Sequence, residues 1–132
     1  MKKAVEIVAL IKGQGIKSKV DVDLVDDFLH ERAKALKGQP AEKLECLLAW
    51  AVNGVHSAAN AIQGAVESDA MRVNDIMGKV RAGKPVESTR GAFSTRHSRV
   101  DTAAIRLEEA DATLRRILEV YESLAVDPPG AE

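Results

Sequence analysis

The sequence CLLAWAVNGVHSAANAIQGAV, residues 46–66, contains no Asp, Glu, Lys or Arg. These four types make up 30% of the whole chain, so a run of this length without them is unusual. A helix that faces solvent normally carries charge on its outer side. We therefore expect a helix that is covered on nearly all of its sides, by the rest of the chain or by another molecule.

Apolar residues in and around this run recur at alternating spacings of three and four. The series is Leu44, Leu48, Ala51, Val55, Ala58, Ile62 and Ala65. This spacing predicts one helix over about residues 41–81, with a coiled-coil-like seam that a partner helix can approach closely. The next position in the series is Asp69, and the apolar pattern then resumes out of step. We expect the helix to break, kink or change partner near residues 68–69.

A second run of regular heptads lies near the carboxyl end of the sequence. Its apolar positions are Val100, Ala103, Leu107, Ala110, Leu114, Ile117, Tyr121 and Leu124. They predict a long helix over about residues 97–125, which begins between Ser94 and Ser98 and runs antiparallel to the first.

Shorter helices are predicted before these two. One covers about residues 4–12, and another runs from an Asp23 cap to about Lys37. Gly38 and Pro40 then separate it from the long helix, because glycine favours helix ends and proline favours helix starts. Val20, Val22 and Leu24 belong to an alternation that could form a strand, but a lone strand is implausible. The segment at 82–93 contains Gly and Pro and is predicted to be a loop.

The composition fits an all-α domain. Of the 132 residues, 45% are hydrophobic but only 3% are aromatic, so the core must consist of Ala, Val, Leu and Ile. We predict a helical bundle of four to five helices, dominated by the two long antiparallel ones. It forms a single domain over residues 1–126, and residues 127–132 form a short tail.

The single cysteine, Cys46, cannot form an internal disulfide, which favours a reducing, cytoplasmic location. On an apolar helix we expect this thiol to be buried filler rather than a nucleophile. The uncharged run is long enough to cross a membrane. However, it holds five hydrogen-bonding side chains and two glycines, so we predict no membrane insertion.

Charge is distributed unevenly along the chain. Residues 72–106 hold eight basic and three acidic groups, whereas residues 107–132 hold two and seven. If the two long helices form a hairpin, basic residues collect at its tip. They are Lys79, Arg81, Lys84, Arg90, Arg96 and Arg99. Either this basic tip binds an acidic protein partner, or its charges only keep a loop solvated. Nucleic acid is the less favoured partner, since few aromatic residues are present to stack on bases.

Two resemblances bear on chemistry. The pair Arg90 and His97 resembles the Arg and His of the all-helical HEPN ribonucleases, which implies that His97 handles protons and Arg90 holds a phosphate. Six residues intervene, however, and Gly91 follows the Arg. The pairs Glu42 with Glu45 and Glu108 with Asp111 resemble the magnesium motifs of all-helical nucleotide pyrophosphohydrolases, but 62 residues separate them.

The alternatives to an interaction protein are a HEPN-like ribonuclease and a nucleic-acid-binding accessory protein. The three histidines lack metal-ligand spacing, so we assign no catalytic residue, metal or cofactor.

Neutral polar residues form a stripe on the uncharged run. The stripe, with the neighbouring tryptophan, comprises Trp50, Asn53, His56, Asn60 and Gln63. It could line a small-molecule pocket, but a partnered interface is the commoner use of such groups. We therefore predict a non-enzymatic assembly protein, of a kind found in phages and mobile elements, that forms homo-oligomers through this stripe.

Overall fold

The computed structural model describes residues 1–13, 18–85 and 99–131, and it confirms the all-α fold. Helix accounts for 83% of these residues, in four helices and with no strand among them. The helices are α1 (Ala4–Gly13), α2 (Lys19–Ala35), α3 (Pro40–Arg81) and α4 (Arg99–Leu124). Residues 86–93 of the loop predicted at 82–93 lie outside the described residues, as does the predicted start of the last helix at 94–98.

The second helix begins earlier than the sequence suggested. We predicted a cap at Asp23, but the cap is Ser18, whose backbone is extended and whose hydroxyl accepts a hydrogen bond from the Asp21 amide. A serine at this position satisfies one of the amides that the first helical turn leaves unpaired. The alternating residues from Lys19 onward are therefore helical rather than extended.

α3 passes through residues 68–69 without interruption, so the predicted break there is wrong, while the alternatives of a kink or a change of partner stay predictions. Asp69 Oδ1 lies 3.9 Å from Nη1 of Arg72, one turn later on the helix. Ser68 Oγ accepts a hydrogen bond from Arg99 Nη1 at 3.2 Å. Both polar residues thus have partners that are compatible with a continuous helix. Gly38, at a φ of 83°, ends the preceding segment, and Pro40 supplies the first residue of α3 as expected.

The chain divides into two compact units. Unit 1 comprises Met1–Ser57 and Glu109–Glu132. Its core takes apolar side chains from all four helices: Ile7, Val8, Val22, Val25, Leu29, Leu48, Ala49, Ala51, Val52, Leu114, Leu118 and Tyr121. Within this unit, the other three helices therefore pack against the first part of α3.

Unit 2 comprises Ala58–Glu108 and contains the later part of α3 and the beginning of α4. Among its described residues only two apolar side chains are buried, Ala65 and Ala103. A cavity of about 350 Å³ lies between the two helices, lined by α3 residues from Ala61 to Ser68 and α4 residues from Arg99 to Arg106. Unit 2 is thus a helical pair with very little core of its own.

No helix in the described part of the chain is both long enough and apolar enough to cross a membrane.

Candidate functional site

A fully buried arginine organises the polar interior of unit 1. Arg32, on α2, directs Nε to Glu45 Oε1 at 3.0 Å, and its Nη2 lies 2.9 Å from the same oxygen. Nη1 donates to the Lys2 carbonyl at 3.0 Å and to Asp127 Oδ1 at 2.8 Å. Nη2 also donates to the Val126 carbonyl at 2.9 Å. Four hydrogen bonds and the ion pair with Glu45 therefore hold the guanidinium in place.

The second buried charge, Glu45, is shared with a tyrosine. Tyr121 Oη on α4 donates to Glu45 Oε2 at 2.7 Å, and both side chains are fully buried. Burial, together with this hydrogen bond, raises the pKa of Tyr121 far above its ordinary value. Burial by itself would lower the pKa of Arg32, but the bonds to Glu45 and Asp127 outweigh it and raise that pKa.

Residues predicted to form a short tail contribute to this network. The Ala4 amide donates to Asp127 Oδ1 at 2.9 Å, and this bond, with that from Arg32, lowers the pKa of Asp127. Pro128, which follows, is buried. The segment after α4 is thus held against both the amino-terminal residues and α2.

The network has no unused polar atom. No buried side-chain nitrogen or oxygen among the described residues lacks a hydrogen-bond partner. Groups that act on a substrate need an open position, whereas here every buried donor and acceptor serves another residue of the chain. We interpret the cluster as structural: it joins α2, α3, α4 and both ends of the described chain.

The sequence contained one signal for this network. Arg32 continues the apolar stripe of Val25, Leu29 and Leu36 at spacings of four, three and four, which places a charge at a core position. Such a residue needs a buried acidic partner. Glu45 was instead considered only with Glu42, as an acidic pair that resembles a magnesium motif, so its pairing with Arg32 was missed.

An apolar groove lies between α2 and α3 in unit 1. Its volume is about 310 Å³, and its buried lining residues are the apolar Leu29, Ala33 and Ala49 together with Glu45. Asn53 Nδ2 bridges the two helices by donating to Asp26 Oδ1 at 3.0 Å and to the Ala49 carbonyl at 2.8 Å. Beside them Trp50 lines the groove with 64% of its surface exposed. The groove therefore combines an apolar interior with a large, uncovered aromatic side chain.

Cys46 also lines this groove and is exposed, so the prediction that it is buried is wrong. Its neighbours Glu45, Leu48 and Ala49 are the ones that turn toward the core of unit 1. Cys46 and Trp50 lie one helical turn apart on the other side. The uncharged run thus has an exposed side in the single chain, and the expectation that another molecule covers that side stays a prediction.

The rest of the predicted stripe also lies on α3. His56, in unit 1, is half-buried; Asn60 and Gln63, in unit 2, are exposed. Gln63 Nε2 donates to Glu67 Oε1 at 3.3 Å along the helix. The stripe therefore presents neutral polar groups outward, and its role as an interface stays a prediction.

The predicted basic tip is described only in part. Arg90 and Arg96 lie outside the described residues. In unit 2 Lys79 Nζ lies 3.2 Å from Asp75, and Arg99 donates to Ser68, so two of the cations already have partners within the chain. Arg81 and Lys84 are exposed at the end of α3.

The residues that resembled those of HEPN ribonucleases, Arg90 and His97, fall outside the described part of the chain. Of the acidic pairs considered for magnesium, Glu42 accepts a hydrogen bond from the Gly38 amide, and Glu45 belongs to the buried network. No group of three or more metal-ligating side chains lies together among the described residues.

Comparison with protein-family models, with curated proteins and with solved structures finds no match to this chain.

Proposed function

We propose that this protein is a non-enzymatic helical interaction protein that self-associates through α3 and offers a basic end to an acidic partner. The observation that carries the proposal is Trp50, which is 64% exposed within a run of 21 residues that has no charged side chain. An exposed face normally carries charge, so a face without it is suited to burial by another molecule.

The chemistry of the groove supports this interpretation. Tryptophan is enriched at the centres of protein interfaces, because its large ring excludes water while its N–H can still find a partner. Here the ring stands beside a groove of about 310 Å³ with a buried apolar lining. Asn53, already bonded to Asp26, gives this surface a fixed polar edge. A second copy that contributes an apolar helix face would cover the indole and fill the groove.

The basic end supplies the second part of the proposal. Arg81 and Lys84 are exposed at the end of α3, and the following segment through Arg99 adds Arg90 and Arg96. A concentration of positive charge at one place steers acidic partners toward it. With an overall charge of only −1, the chain is suited to this local attraction rather than to general binding of polyanions.

Self-association is tested by light scattering with mass measurement over a range of concentrations. We expect a mass of at least twice the 14.2 kDa of one chain at micromolar concentration. Trp50 is the only tryptophan, so its emission should shift to the red as dilution exposes the indole. Trp50→Glu should lower the mass, whereas Val20→Glu, a control on α2 that is 76% exposed, should not. A wild-type monomer at micromolar concentration would reject self-association.

Partner binding is tested by capture from the native cell. The double variant Arg96→Glu with Arg99→Glu should fold normally and lose its partner, while Arg115→Glu with Arg116→Glu on α4 should retain it. Nuclease treatment of the lysate separates the two kinds of acidic partner, since only capture through nucleic acid is lost. Equal capture by both variants would show that the basic tip only solvates a loop.

A further inference from the structure

Unit 2 carries a second apolar seam on α3, on a side that the chain leaves open. Its residues follow one another at spacings of four and three: Ala59, Gln63, Val66, Ala70, Val73, Met77 and Val80. All seven are exposed, and Val80 is exposed by 64%. Strict alternation of four and three over three heptads is the pattern by which one helix packs along another.

The open seam explains why the apolar pattern shifts near residue 68. Ala65 is buried and Ser68 contacts Arg99, so these residues mark the side of α3 that faces α4 within unit 2. Val66 and Val73 belong to the neighbouring side, which is exposed. The helix does not break where the pattern changes; instead, its apolar residues move from one face to another.

Unit 2, in its described part, leaves all seven seam residues exposed. Its described residues bury only two apolar side chains, both alanines, and neither α1 nor α2 belongs to the unit. Two helices alone expose much of the apolar surface that a bundle of four buries. A further helix against the seam would give unit 2 the core that it lacks.

We propose that a second copy of this chain packs antiparallel along the last part of the seam, with Val73 against Met77 and Ala70 against Val80 of the second copy. Charge selects this occupant and this direction. Glu67 follows Val66, just before the paired part of the seam, and Arg81 follows Val80 at its end. An antiparallel copy brings each Glu67 to the Arg81 of the other chain, whereas a parallel copy would place Lys79, Arg81 and Lys84 beside their own equivalents.

This inference rests on the proposed self-association and adds a contact separate from the surface around Trp50. Two different self-complementary contacts on one chain build an assembly larger than a dimer, and loss of either contact leaves the other. The seam and the Trp50 surface can therefore be tested one at a time.

The first test compares two methionines on α3 of unit 2. Met77 lies on the seam, whereas Met71 lies off it and is 72% exposed. Met77→Glu should lower the mass measured by light scattering, while Met71→Glu should keep the wild-type mass; circular dichroism should show that both variants retain helix. Equal masses for the two variants would overturn the inference. If Trp50→Glu still lowered the mass, the proposed function would stand without it, and a wild-type monomer would reject both.

The second test exchanges charges. Glu67→Arg and Arg81→Glu each place like charges together across the antiparallel contact, so each should weaken association by about fivefold, as expected for two exposed ion pairs per dimer. The double variant restores both pairs with their signs reversed and should recover wild-type association. Recovery requires that one copy's residue 67 meets the other's residue 81. Additive weakening in the double variant would overturn the antiparallel second copy, as would single variants that associate like wild type.

Discussion

Replacement of Arg32 by leucine should destabilise the fold more than any change at an exposed ion pair. The substitution removes a guanidinium that is fully buried and leaves the buried Glu45 with Tyr121 as its remaining partner. The Val126 and Lys2 carbonyls also lose their donor. Removal of one partner from a buried ion pair typically costs about 3–5 kcal/mol, because the other charge stays buried and uncompensated.

The cost should be visible in thermal unfolding. At an unfolding entropy of roughly 2 cal/mol/K per residue, a chain of 132 residues loses about 1 °C of Tm for every 0.3 kcal/mol. Arg32→Leu should therefore lower Tm by about 10–17 °C in a circular-dichroism melt. The matched control is Arg115→Leu, since Arg115 pairs with Asp111 at 3.0 Å on an exposed surface. It should cost no more than about 0.5 kcal/mol.

A third variant distinguishes the cost of one unpaired buried charge from the cost of losing the whole ion pair. Arg32→Leu combined with Glu45→Leu and Tyr121→Phe removes both buried charges and the hydroxyl bonded to them. Well-packed apolar replacements of a buried ion pair are often close to neutral, so this triple variant should be at least about 2 kcal/mol more stable than Arg32→Leu alone. If Arg32→Leu melted like Arg115→Leu, or if the triple variant melted below the single one, the reasoning about the buried charge would be wrong.

Three further outcomes are expected. Tyr121→Phe removes the donor to Glu45 Oε2 and should cost about 1–3 kcal/mol in urea unfolding, so an unchanged midpoint would contradict the bond. The folded pKa of Asp127 is lowered, so its stabilisation is present above the unfolded pKa of about 4 and is lost as pH falls through the folded value. Asp127→Asn should thus flatten the fall of Tm below about pH 4, and an unchanged acid limb would argue against this linkage. Cys46 should react with a thiol reagent in the dilute, folded protein, because it is exposed; reaction only after denaturation would contradict its position.

The helices could be predicted because their signal is periodic and extends over many residues. The first and last residues of the helices were harder to predict. The start of α2 depends on one hydroxyl, that of Ser18, and a serine near several aspartates is only one of several plausible caps. The supposed break in α3 arose because a single series of apolar positions cannot represent a helix whose apolar residues change face.

The polar interior was harder to predict for a different reason. Arg32, Glu45, Tyr121 and Asp127 lie on four separate segments of the chain, and their partnership depends on tertiary packing. Periodicity identifies which side of a helix is inside, but not which charge on another helix will meet it there. Trp50 illustrates a further limit: the single chain leaves its ring exposed, and its predicted place in an interface between copies stays a prediction.

The two units should respond to different variables. Unit 1 closes its core with four helices and a saturated ion-pair network, so its stability is a property of one chain and depends on Arg32 and Glu45. Unit 2 buries two alanines among its described residues, and its seam residues from Ala59 to Val80 are exposed. Binding that favours the folded form stabilises it in proportion to the logarithm of partner concentration. Under the proposed second-copy contact, protein concentration should therefore shift the melting of unit 2, whereas substitutions in the network should act on unit 1 at every concentration.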